Sequence, residues 1–127
     1  MASVAGLLRQ TRRLDLSSVE GRFRLGELTE ALRRQLPAVT DLHERLALDL
    51  ELDPDTLIET WFVVSAFPPP TRCPGLSWSA YVSLRFHPQR HRLADRAARE
   101  GWDQVRLEAE LAAWFAARYH IRPQRWR

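Results

Sequence analysis

Residues 53–67, DPDTLIETWFVVSAF, constrain the fold more than any other stretch. Asp53 offers a carboxylate to a free backbone N–H, and Pro54 sits where its missing N–H is no loss; together they signal a helix start. Phe67 is followed by Pro68, Pro69 and Pro70, which no helix crosses. Between these bounds the apolar residues spread over two adjoining sides, Leu57, Trp61 and Val64 on one and Ile58, Phe62 and Ser65 on the next. A helix apolar on most sides is a buried one, so the pattern predicts a central helix that other elements cover, with the Trp61 ring as core. Aromatic and β-branched residues are dense over 60–67, as in a strand, but the start signal and the length of the run favour a helix.

The flanking segments also read as helices. Residues 2–14 form a short amphipathic one, with Val4, Leu7, Leu8 and Leu14 on one side and Arg9, Arg12 and Arg13 opposite. Ser17 or Ser18 offers an N-cap for a second helix to about Gln35, with Val19, Phe23, Leu25, Leu28, Leu32 and Leu36 as its stripe. Thr40 is the expected cap of DLHERLALDL, whose core line is Leu42, Leu46 and Leu50 with Ala47 and Leu48 beside it. Beyond the turn Cys73-Pro74-Gly75, Ser77 caps WSAYVSLRF. A helix over 91–100 stops at Gly101, and Asp103 caps the last, with Val105, Leu107, Leu111, Trp114 and Phe115 as its apolar set. No internal repeat and no alternating strand pattern is evident. The expectation is an all-α fold, a compact multi-helix domain of six or seven short helices over 1–119, with a basic tail over 120–127.

Charge sharpens the picture. All 19 basic residues are arginine, as a GC-rich genome favours, and each is a planar fork suited to phosphate or carboxylate. The net charge of +3 hides an acidic stripe: residues 41–59 hold seven carboxylates and one arginine. The single Cys73 excludes an internal disulfide, and no apolar run approaches a membrane span. The first residues are basic after their apolar part rather than before it, unlike a secretory signal, so the expected location is cytoplasmic.

Two short helices joined by a tight turn predict a helix-turn-helix at about 43–63. Ala47 is the small residue the crossing requires, Leu50 and Leu52 flank the turn, and Leu57 faces inward early in the second helix. The turn position that favours glycine holds Glu51. With this unit, the pieces LDPDTLIETWFVVSAFPP, LSWSAYVSLRF and AAREGWDQVRLEAEL resemble a group of actinobacterial and phage-type helix-turn-helix proteins, over roughly residues 42–111. The resemblance implies a DNA-binding, regulator-like role.

The groove-facing candidates are Asp55, Thr56, Glu59 and Thr60, next to the Asp53 cap. They include no Arg, Asn or Gln, the usual base readers, and their carboxylates repel phosphate. Arginines from other helices are therefore the expected clamp: Arg22 and Arg24 at the start of the second helix, Arg72 after the prolines, and Arg85, Arg90 and Arg92 around His87 and His91. Arg122, Arg125 and Arg127 add to them in the tail, beside Trp126. The ordinary alternative for each is a solvated surface arginine. His87 and His91 have the i, i+4 spacing of metal ligands, but Pro88 interrupts their turn, and no metal or other cofactor is expected. No convergent catalytic set is present, so an enzyme is not expected. The expected function is a small sequence-specific DNA-binding protein, a homodimer on double-stranded DNA. The alternative is an interaction module whose acidic stripe, or whose apolar Ile58 and Phe62, meets a protein partner.

Overall fold

The computed structural model describes residues 3–119; the basic tail over 120–127 lies outside them. The fold is all-α, with seven helices and no strand among the described residues. The chain divides into two compact units, Met1–Arg72 and Cys73–Arg127, with the boundary just after the proline run. No helix among the described residues is long and apolar enough to cross a membrane.

The first unit holds α1 (Val4–Arg12), α2 (Val19–Gln35), α3 (Leu42–Leu50) and α4 (Pro54–Ala66), closed by a 3₁₀ turn at Pro69–Thr71. The caps follow the sequence at the starts of α2 and α4. The Ser18 hydroxyl accepts from Gly21 N–H, and the Asp53 carboxylate accepts from Asp55 N–H. The α3 cap differs from the reading: Asp41, not Thr40, holds the cap position, and its carboxylate turns to Arg45 Nε at 2.9 Å instead of bonding the backbone. An ion pair one turn along competes successfully for a side chain this short.

α4 packs along α2 and against α3, and α1 lies on α2. The core is leucine, with Leu7, Leu25, Leu28, Leu32, Leu46 and Leu57 all buried. Each such side chain contributes about 1.5–3 kcal/mol through removal from water. The α2–α4 crossing is set by Gly26. A Cβ there would press into Val64 Cγ2 and lie 3.0 Å from the Thr60 carbonyl, so only glycine lets the two helices approach this closely.

α4 is covered on one side only, which corrects the expectation of a helix buried on most sides. Leu57, Thr60, Val63 and Ala66 are buried, whereas Ile58 is 37% and Phe62 38% exposed. Trp61 is half-buried rather than core. Leu48, read beside the α3 core line, is 82% exposed, and Leu50 is half-buried.

The second unit holds α5 (Trp78–Leu84), α6 (Arg90–Glu100) and α7 (Gln104–Tyr119), with α6 and α7 both laid on α5. Ser77 caps α5 by accepting from Ala80 N–H, and Asp103 accepts from Arg106 N–H at the start of α7. Tyr81, fully buried, ties the Cys73 turn to α5: its hydroxyl accepts from Cys73 N–H at 2.8 Å and donates to Cys73 O at 3.0 Å. Of the apolar set read for α7 only Leu107 is buried, while Val105 and Phe115 are exposed.

Candidate nucleic-acid interface

The turn between α3 and α4 has the form a helix-turn-helix needs. Glu51 takes the left-handed conformation, φ 56° and ψ 42°, that glycine would adopt without strain. Leu52 N–H then bonds Ala47 O at 2.8 Å and Glu51 N–H bonds Leu48 O at 3.3 Å, the paired closure of a left-handed helix end. Ala47 and Leu57 are buried on the two sides of the turn. Glu51 therefore meets the backbone requirement that its residue type opposes.

The groove-facing candidates separate. Asp55 and Thr56 are exposed at the start of α4, and Glu59 is half-buried one turn on. Thr60 is 2% exposed and its hydroxyl donates to Thr56 O at 2.8 Å, so it belongs to the α2–α4 contact and not to an outward face. Among the described residues Asp55 and Glu59 have no ion-pair partner.

The arginines read as a clamp in the first unit are turned to internal work. Arg22 is half-buried, and its Nε donates to Leu16 O at 2.7 Å, fastening the α1–α2 connection. Arg24 is exposed and donates to Gln10 Oε1 at 2.9 Å, with Glu27 at 3.9 Å. The Arg72 guanidinium lies 4.0 Å over the Phe23 ring, donates to Phe67 O and reaches Glu27 at 3.4 Å. It holds the segment after the prolines onto α2.

A second internal network centres on Glu30. Its carboxylate accepts from Trp61 Nε1–H at 2.7 Å, from Arg33 at 2.7 and 2.9 Å and from Arg34 at 3.0 Å. The Arg33 hydrogen bonds, with those of Trp61 and Arg34, hold this carboxyl at about 2, well below its ordinary 4.5. The network fastens the half-buried indole of α4 to α2, while the adjoining Ile58, Phe62 and Ser65 stay exposed.

In the second unit Arg85 is half-buried, with Nη1 on Val82 O and its guanidinium 4.6 Å over Phe86. Arg90 donates to His87 O at 3.3 Å, and the exposed Arg92 donates to Gln89 Oε1 at 3.3 Å. His87 is not placed as a metal ligand. It is buried, its Nδ1 accepts from Gln89 N–H at 2.9 Å, and its ring lies 4.3 Å from that of Trp114, while His91 is exposed. Burial lowers the His87 pKa from the ordinary histidine value. No group of three His, Cys, Asp or Glu able to hold a metal occurs among the described residues.

No family model, no curated protein and no solved structure matches this chain. One feature is invisible to a search for repeats of similar residues. The turn between α6 and α7 reproduces the α3–α4 turn at the same spacing, with Ala97, Gly101, Asp103 and Leu107 in the places of Ala47, Glu51, Asp53 and Leu57. The signal lies in this spacing and not in overall similarity.

Proposed function

We propose that this chain is a small sequence-specific DNA-binding protein of the helix-turn-helix kind. The observation that carries the reading is the left-handed turn at Glu51, closed by Leu52 N–H on Ala47 O, with Ala47 and Leu57 buried beneath it. That arrangement leaves the first turn of α4 outward, with Asp55 and Thr56 exposed. A threonine meets bases of either kind, and a carboxylate accepts from cytosine N4. The test is selection from a random-sequence duplex pool. A recurrent site is the expected result; a pool that stays random after repeated rounds at low salt contradicts the reading.

A second reading is favoured by a specific observation. Ile58 and Phe62, one turn apart on α4, are exposed on the helix that carries Asp55 and Glu59, which have no ion-pair partner among the described residues, and Arg22, Arg24 and Arg72 are engaged elsewhere. Such a face fits a basic, apolar protein partner. Phe62→Ser and Ile58→Ser then abolish partner capture and leave duplex binding intact; capture that survives both substitutions removes this reading.

A further inference from the structure

The turn between α6 and α7 shares the left-handed backbone form of the turn between α3 and α4. α6 ends at Gly101, which is left-handed with φ 65°, and Trp102 N–H bonds Ala97 O at 3.0 Å. Leu52 N–H bonds Ala47 O at 2.8 Å in the equivalent place of the first unit. In both turns an aspartate follows and caps the next helix: the Asp53 carboxylate accepts from Asp55 N–H at 2.9 Å, and the Asp103 carboxylate accepts from Arg106 N–H at 2.8 Å. Ala97 and Leu107 are buried as Ala47 and Leu57 are. Each closing helix also packs on the helix that opens its set of three, α4 on α2 and α7 on α5.

The outward residues differ sharply between the two. Where α4 presents Asp55, Thr56 and Glu59, α7 presents Val105, Arg106 and Ala109, all exposed. Val105 is 76% exposed, a large apolar side chain that contributes nothing to the core. Arginine is the commonest reader of guanine, and an apolar side chain meets the thymine methyl. Arg106 pairs one turn along its own helix with Glu110 at 3.0 Å, and its guanidinium lies 5.4 Å over the Trp102 ring. An exposed pair of this kind gives way to a stronger acceptor at small cost. The helix before the turn is basic: α6 holds four arginines against two carboxylates, and with Arg96 on Glu100 and Arg99 on Asp95 the excess is Arg90 and Arg92.

We infer that the second unit, through α6, the Gly101 turn and α7, is the part of this chain that grips duplex DNA, with Arg92 on phosphate and Val105 and Arg106 at the bases. The inference rests on the DNA-binding reading and moves its main contacts away from the acidic α4.

The test compares three proteins by fluorescence anisotropy with a labelled random duplex over a salt series. They are the wild type, the double variant Arg92→Gln/Arg106→Gln, and the double variant Arg22→Gln/Arg24→Gln. Glutamine keeps helix propensity close to that of arginine, and circular dichroism checks that each variant is folded. The expected result is a wild-type affinity that falls steeply with salt. The second-unit variant loses about one from that slope, for Arg92 on phosphate, and about tenfold or more in affinity, chiefly for Arg106 at a base; the first-unit variant stays within about twofold, because Arg22 and Arg24 are engaged within their own unit. Arg106→Lys adds a separate readout: it keeps the charge but not the two-pronged contact, so sequence preference is lost. A wild type that binds steeply while Arg92→Gln/Arg106→Gln binds equally well overturns the inference and leaves the DNA-binding reading standing. A wild type that does not bind duplex at low salt overturns both.

Discussion

Replacing Glu51 by glycine stabilises the first unit, and the magnitude follows from the backbone. A non-glycine residue in the left-handed region is strained by about 1–2 kcal/mol. Glycine removes that strain but frees the unfolded chain, which takes back about 0.4–1 kcal/mol. The net expectation is a gain of about 0.5–1 kcal/mol. It is enlarged slightly because Glu51 places a negative charge at the C-terminal end of α3, where the helix dipole disfavours it. Gly101→Ala is the reciprocal change. A Cβ at Gly101 meets nothing within 4 Å, so strain alone acts, and the second unit loses about the same amount. Urea unfolding followed by far-UV circular dichroism and tryptophan fluorescence reads both, as midpoint shifts of about 0.5 M in opposite directions. Glu51→Gln separates charge from strain and is expected to change little. If Glu51→Gln yields the whole gain, or Glu51→Gly yields none, then Glu51 is not left-handed in solution.

Gly26→Ala drives a Cβ into Val64 and the Thr60 carbonyl and is expected to destabilise by about 1–3 kcal/mol in the same unfolding assay. The Glu30 carboxyl has a folded value of about 2 against an ordinary 4.5, so it stabilises the fold fully above 4.5, and that contribution is lost as pH falls toward 2. Because its arginine partners are exposed, the contribution is about 2 kcal/mol at most. Acid titration of stability should flatten over this window in Glu30→Gln. Thr56→Ala is expected to change the preferred duplex sequence, and Thr60→Val to leave it unchanged, as competition between selected and scrambled duplexes will report.

The features legible in the sequence are those decided within a few residues. Ser18, Asp53, Ser77 and Asp103 each cap a helix by bonding a backbone N–H two or three residues on, and that geometry needs no tertiary context. The leucines of α2 and α3 reached the core where their spacing fixes a single side, as at Leu25, Leu28, Leu32 and Leu46. What depended on a distant partner was not legible. α4 is apolar on two sides, and only the close approach at Gly26 decides that the Leu57, Thr60 and Val63 side is covered while Ile58 and Phe62 stay out. Thr60 looked groove-facing because it is polar, but a threonine that bonds its own helix at Thr56 O is readily buried. Arg72 looked like a phosphate ligand, and nothing nearby in sequence announces the Phe23 ring beneath it. The second turn is hidden in the sequence because only the places that shape the backbone coincide, while the residues between them differ.

The central claim, that this chain holds duplex DNA, is tested most directly by anisotropy titration of the wild type with random duplex at about 50 and about 200 mM salt. Every phosphate that an arginine neutralises releases counterions and steepens the salt dependence. Four neutralised phosphates correspond to a roughly hundredfold weakening between those two concentrations. Measurable binding at the lower salt, weakened by about that factor or more at the higher, is the predicted result. Absence of binding at the lower salt, or an affinity indifferent to salt, contradicts the claim.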